Sequence, residues 1–121
     1  MTSAADALAR LAAFTERFHA RDAAGMDAHL PFPHAMLIGG RLVVWKTPGQ
    51  LPAGYFDDLA AQGWARSTYH ETHVVLADDR KVHVLVDYSR DDADGRPLSR
   101  HQNLWIVTFE SGRWGVKLRS Y

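Results

Sequence analysis

The residues of this chain best suited to chemistry are a histidine and an aspartate, His70 and Asp87, followed by a second histidine, His101. All three fall in segments whose alternating pattern predicts β-strands, so the lengths of the turns decide which side chains are neighbours. A two-residue turn at 78–79 would place His70 opposite Asp87, and a three-residue turn at 93–95 would place Asp87 opposite His101. A carboxylate beside an imidazole fixes its tautomer and raises its basicity, which gives a general acid or base near neutral pH. The alternative is a cross-strand ion pair that only stabilises the sheet, by roughly 0.2–1 kcal/mol.

Other polar and aromatic residues would complete a site around this pair. If apolar walls excluded water, the pair could enolise a carbonyl compound or dehydrate a hydroxy-carbonyl compound. Asn103, Tyr55 or His34 would then donate a hydrogen bond to the developing oxyanion. The residues predicted to bind a ligand are His34, Tyr55, Trp64, His101, Asn103 and Trp105. The structural alternatives are a hydrogen-bonded turn residue for His34 and core packing for the tryptophans.

Two arginines offer a different chemistry. Arg90 and Arg119 could bind a carboxylate ligand. They could also be strand-end residues that pair with Asp91, Asp92 or Asp94, which is the usual arrangement for arginines near a turn.

Composition excludes several classes of function. Without cysteine, the chain has no disulfide, no thiol nucleophile and no Cys-ligated metal. Fourteen Lys and Arg balance fourteen Asp and Glu, so the basic excess of a nucleic-acid-binding protein is missing. The segment His70-Glu71-Thr72-His73 resembles a zinc motif, but on a strand its two histidines would point to opposite faces. We therefore predict no metal site, no cofactor and no nucleic-acid partner.

Length and hydropathy indicate a single soluble domain. The chain has 121 residues, of which 46% are apolar and 23% charged, as is typical of globular proteins. No run of about 18 apolar residues could span a membrane, and residues 1–6 lack the features of a signal peptide. We expect a cytoplasmic protein without a membrane partner.

The elements that position the candidate residues follow from the spacing of apolar side chains. The first thirty residues predict two helices, which end at Pro31. The period then changes to two, and the pair Gly39–Gly40 predicts a hairpin. A third helix ends at Gly63, and after it the chain reads as four long antiparallel strands. Three helices gathered on one face of a curved sheet predict an α+β fold with one domain, residues 1–121.

The same turn lengths divide the predicted sheet into two faces. The face toward the helices is apolar at one end and polar at the other, as in small-molecule sites. It carries Thr68, His70, Thr72, Val74, Leu85, Asp87, His101, Asn103, Trp105, Val107, Phe109, Trp114, Val116, Leu118 and Ser120. The opposite face carries Tyr69, Val75, Val82, Val84, Val86, Tyr88, Leu104 and Ile106, with Glu71, His73, Lys117 and Arg119 among them. Because so much apolar surface would lack helices, we expect a homodimer through this outer face.

Short segments throughout the chain carry a family resemblance. They are Phe32-Pro33-His34, Gly63-Trp64, 81–84 through Arg90, the turn 92–95, 104–107, 112–116 and Arg119-Ser120. In these segments and in its order of elements, essentially the whole chain resembles the NTF2-like superfamily, in particular its small SnoaL-like members. The resemblance implies a cystatin-like cone, with three helices packed on a curved, mostly antiparallel six-stranded sheet around a cavity. Catalytic members carry an acid in that cavity, often an Asp on the central strands, and Asp87 is the matching position.

The resemblance leaves three functions open, because one fold hosts many activities. We expect a pocket protein that binds a small molecule, largely apolar or containing a carbonyl group. The second reading is a cofactor-free lyase or isomerase, similar to polyketide cyclases or ketosteroid isomerases, that uses His70 and Asp87. The third is a dimerising structural module without a ligand.

Overall fold

The computed structural model describes residues 3–121 and has the predicted α+β architecture, with three helices packed on one curved sheet of six strands. The helices are α1 (Ser3–His19), α2 (Ala23–Asp27) and α3 (Tyr55–Ala61). The strands are β1 (His34–Ile38), β2 (Arg41–Trp45), β3 (Arg66–Ala77), β4 (Lys81–Asp91), β5 (Pro97–Glu110) and β6 (Arg113–Ser120). Their order in the sheet is β2-β1-β6-β5-β4-β3, and every pair is antiparallel except β1 with β6. Within residues 3–121, no helix combines the length and the apolar character needed to cross a membrane.

Local sequence signals placed the first hairpin turn and the end of α3 correctly. The Gly39–Gly40 turn joins β1 to β2 with Ile38 opposite Arg41. Gly63 follows α3 with φ of 95°, a left-handed conformation that costs glycine little. There the Trp64 amide donates to the Leu59 carbonyl, which closes the helix end in the manner of a Schellman motif.

The core lies between α1 and the concave side of the sheet. Leu11 and Phe14 of α1 are buried together with alternate residues of β4, the second strand from one edge of the sheet. These alternate residues are Val82, Val84, Val86 and Tyr88, all buried. Since successive strand residues point to opposite faces, the residues between them, including Asp87, lie on the outer face.

Because the strand pairing is irregular, several residues lie on the opposite face of the sheet from the predicted one. Between β4 and β5, the turn pairs Asp92 with Arg96 as predicted, but a bulge at Arg90–Asp91 then shifts the register by one residue. Asp87 therefore lies opposite Gln102, and Tyr88 takes the predicted place of Asp87 opposite His101. A slip of one residue exchanges the two faces of a strand.

The other two hairpins depart from the prediction in the same way. The first turn of the meander is shifted by one residue and pairs Ala77 with Val82, and two further bulges in β3 leave Glu71 opposite Asp87. Between β5 and β6 the turn is as predicted, but a bulge at Ile106–Val107 places Trp105 opposite Arg119 instead of Leu118. Arg119 thereby moves from the predicted outer face into the interior, where it is buried.

The outer face of the sheet is less apolar than predicted. Four of the residues assigned to it, Val82, Val84, Val86 and Tyr88, belong to the buried core on the helix side. The homodimer stays a prediction, without the support of these four side chains.

Candidate ligand-binding cavity

A cavity of about 480 Å³ opens between the β1–β2 hairpin, the segment before α3 and the concave side of the sheet. Its walls are mostly apolar, and three arginines are the charged residues that line it. The lining residues are Phe18, Met26, Met36, Ile38, Arg41, Val43, Trp45, Leu51, Pro52, Tyr55, Tyr88, Arg90, His101, Gln102, Asn103, Arg119 and Tyr121. A narrow extension of about 40 Å³ shares seven of these residues and reaches Phe14, Thr15, His19, Ser67, Tyr69 and Trp105.

Arg119 is held on the cavity wall by the pairing of β1 with β6. The parallel register places Met36 beside Arg119, so both side chains reach the same face. The Arg119 Nε–H donates to His34 Nε2 at 3.1 Å, and one terminal nitrogen lies 3.2 Å from the sulfur of Met36. The guanidinium carbon also lies 5.2 Å from the ring centre of Phe14 and 5.7 Å from that of Trp45. These cation–π contacts partly replace the hydration that the buried charge has lost.

His34 supports Arg119 from behind the cavity wall. It is fully buried, and its Nδ1 lies 2.8 Å from the carbonyl oxygen of Val116. Because a carbonyl only accepts, Nδ1 carries the proton and Nε2 presents a lone pair to Arg119. Burial lowers the pKa of His34 to about 3, and the positive charge of Arg119 contributes the next largest part of this effect. The imidazole is therefore neutral at physiological pH and serves as an acceptor.

A polar group on β4 and β5 faces the same space. The Asn103 amide donates to the Tyr88 hydroxyl at 3.3 Å, and the Tyr88 ring stacks on His101 at 5.2 Å. Burial raises the pKa of Tyr88, so the phenol stays protonated at neutral pH. Burial, together with the nearby charge of Arg90, lowers the pKa of His101, which favours its neutral form. Each of these groups can form a hydrogen bond to a ligand without carrying a charge.

The structure brings together four of the six predicted ligand-binding residues. Tyr55, His101, Asn103 and Trp105 line the cavity or its extension. His34 stands behind the wall, in contact with Arg119 instead of the open space.

Trp64 is packed below the cavity. It is buried against Phe18 and Phe56, and its indole N–H donates to Ser67 at 3.0 Å. Trp64 is therefore part of the core and is not among the lining residues.

His70 and Asp87 are not paired with each other. The Asp87 carboxylate accepts from Arg100 at 2.7 Å on the outer face, and this contact lowers its pKa. His70 is exposed, and its Nε2 lies 2.8 Å from the hydroxyl of Ser89, which in turn donates to Asp91. The prediction that these two side chains meet rested on the register corrected above. Neither residue lines the cavity described here.

The sequence left two roles open for Arg90 and Arg119, a carboxylate site or pairing with turn aspartates, and the structure places both in the lining of the cavity and its extension. Asp91 instead accepts from Thr68 and Ser89. The apolar residues of β5 fall at odd-numbered positions, and this pattern puts Arg119 beside Trp105 once a bulge is allowed. Nothing in the sequence marks the position of that bulge.

Comparison with known proteins shows the fold of the chain but no specific activity or ligand. No protein-family model and no curated protein sequence matches the chain. Solved structures do match. Aln2 from a Streptomyces species superimposes with a TM-score of 0.70 at 19% identity, over 96% of this chain and 86% of that one.

Two further solved structures are similar over nearly their whole length. A ketosteroid isomerase-like protein from Erwinia carotovora atroseptica gives a TM-score of 0.64 at 18% identity, over 96% of this chain and 92% of its own. An NTF-2 like protein of unknown function from Shewanella oneidensis gives 0.63 at 11% identity, over 97% and 96% of the two chains. The chain therefore has an NTF2-like fold, as its resemblance predicted. At these sequence identities, a similar structure does not indicate a shared activity.

Proposed function

We propose that this protein binds a small, largely apolar molecule in the cavity between the β1–β2 hairpin and the sheet. The observation that supports the proposal most directly is the open volume of about 480 Å³. It lies within the range of roughly 300–1,000 Å³ that is usual for small-molecule sites. Apolar walls with a few converging polar groups are the usual composition of such sites.

The polar groups converge from three strands. Asn103 and His101 come from β5, Tyr88 from β4 and Arg119 from β6. Aromatic and aliphatic side chains from the hairpin and from the helical side form the remaining wall. A ligand would bury its apolar surface against these side chains and would be oriented by the polar ones.

A neutral fluorescent dye, N-phenyl-1-naphthylamine, tests the proposal without assuming the natural ligand. We expect its emission to rise on binding to the wild-type protein. Val43→Trp should weaken binding markedly, because Val43 lines the cavity and an indole there would occupy part of the space that the dye needs. Val44→Trp is the matched control, since Val44 is the next residue on the same strand and is 43% exposed.

Two results would contradict the proposal. One is the absence of dye binding to the folded wild-type protein. The other is equal binding to the two tryptophan variants, which would place the dye elsewhere on the surface.

The cofactor-free lyase or isomerase is a less supported candidate. Within the main cavity as described, His101 is the only imidazole, and no Asp or Glu side chain lines the walls. An acid–base mechanism there would depend on His101 rather than on His70 and Asp87. The ligand-free dimerising module, for its part, has no need of an open cavity of this size.

A further inference from the structure

Arg119 is an unusual charge for a protein interior. Its side chain is only 4% exposed, yet no Asp or Glu among residues 3–121 lies within ion-pair distance of it. Its hydrogen-bond acceptors are a neutral imidazole, His34, and a weakly accepting sulfur, Met36. Buried arginines are usually paired with an anion, because an isolated charge loses its hydration without compensation. Within residues 3–121, this guanidinium therefore lacks an anionic partner.

A second buried donor lies beside it. The indole Nε1 of Trp105 is buried and has no acceptor in the described part of the chain. Trp105 is 4% exposed and lines the narrow extension together with Arg119. A buried N–H without an acceptor costs free energy and is uncommon in native proteins. The same region thus holds two buried side chains with donors to spare.

Arg90 adds a second positive charge to this region. It lines both the main cavity and the extension, and it forms no ion pair within residues 3–121. Among the described residues, no Asp or Glu lines either part of the cavity. In an environment shielded from water, two unneutralised guanidinium groups attract an anion more strongly than they would in solution.

We propose that the molecule bound in this cavity carries a carboxylate, which Arg119 and Arg90 hold at the narrow extension. This inference rests on the proposed function and specifies the class of ligand. A carboxylate is planar and matches the donor fork of a guanidinium, and its size suits an extension of about 40 Å³. The apolar body of the ligand, of one or two rings, occupies the main cavity.

A matched pair of probes tests the charge separately from the apolar body. 2-Naphthoate and 2-naphthamide have the same rings, but only the first is an anion. Each is used to displace N-phenyl-1-naphthylamine from the wild-type protein. We expect 2-naphthoate to displace the dye at a concentration at least about tenfold lower than the amide, the effect of a charge-assisted hydrogen bond.

Variants locate the interaction. Arg119→Met should remove the preference for the acid, and Arg90→Met should reduce it several-fold. Arg96→Met is the control, because Arg96 is exposed in the β4–β5 turn and is absent from the cavity wall. If Arg119→Met does not fold, the acid–amide comparison and the Arg90→Met variant still decide the question.

The outcomes separate this inference from the proposed function. If the dye binds but the acid is no better than the amide, or neither displaces it, the carboxylate inference is wrong and the apolar cavity stands. A preference for the acid that survives Arg119→Met and Arg90→Met also overturns it. If the dye itself fails to bind, the proposed function fails first.

Discussion

Lowering the pH from 7 to 5 should destabilise this protein, and His34 should account for about 2 kcal/mol of the loss. In the folded protein His34 is buried, and its Nε2 accepts the Nε–H of Arg119. Protonation there would remove that acceptor and place two cations in contact, so the pKa of His34 is lowered to about 3 from an ordinary 6.5. The unfolded chain takes up the proton near pH 6.5 and therefore binds more protons throughout this interval. The free energy of the unfolded state therefore falls relative to that of the folded state as the pH decreases, and the protein becomes less stable.

The magnitude follows from the two pKa values. At pH 5 the unfolded state gains about 2 kcal/mol from protonating His34, while the folded state gains almost nothing. The stabilisation is fully present above pH 6.5 and is lost progressively as the pH falls toward 3. Asp78, Asp87 and Asp91 have pKa values lowered below 3.8, so their contribution comes mainly below pH 5.

The assay compares urea unfolding at pH 7 and pH 5 in the wild type and in His34→Gln. Glutamine does not titrate, and its amide can both donate to the Val116 carbonyl and accept from Arg119. The loss between the two pH values should be about 2 kcal/mol smaller in the variant, whatever its stability at pH 7. Burial also lowers the pKa values of His19, His29 and His101, but these residues are the same in both proteins and cancel. An equal pH dependence in the two proteins would refute the reasoning.

Two further substitutions test the packing and the outer face. Gly115→Ala should destabilise the protein by roughly 1–3 kcal/mol in urea unfolding, because a Cβ there would lie 2.6 Å from the Pro31 ring. Gly40→Ala, which meets nothing within 4 Å, should change stability far less, and equal effects would count against the packing argument. Asp87→Asn should change stability little and leave dye binding unchanged, since it removes only an ion pair with Arg100 on the outer face. Loss of dye binding in this variant would instead connect Asp87 to the cavity.

The sequence was sufficient for the elements of the fold because their signals are local. Gly63 ends α3, and the pairs Gly39–Gly40 and Ser111–Gly112 form the two-residue turns that their composition predicts. Each of these positions has φ in the left-handed region at one or both residues, where glycine is favoured. A turn needs only two to four residues to be specified, so these turns could be found from one sequence, whereas the turn predicted at 78–79 is displaced by one residue.

The composition of the site could not be predicted in the same way. The side of the sheet on which a strand residue lies depends on every bulge between it and the nearest turn. One bulge at Arg90–Asp91 moves Asp87 out of the site and Tyr88 into it. The bulge at Ile106–Val107 likewise brings Arg119 in. Bulges satisfy packing across neighbouring strands, so their positions are set by tertiary contacts rather than by the local sequence.

The contacts around Arg119 connect the stability of the fold to its proposed role. Had a carboxylate of this chain paired with Arg119, the buried charge would be neutralised and no anion would be needed in the cavity. Instead, its neighbours are aromatic rings and the lone pair of His34, which hold the guanidinium without neutralising it. Arg119 can therefore face the cavity as a free cation only while His34 is neutral. Because burial and the charge of Arg119 lower the pKa of His34, the folded protein loses stability at acid pH. The residue that makes the fold sensitive to acid is thus the one that holds Arg119 in place at the proposed carboxylate site.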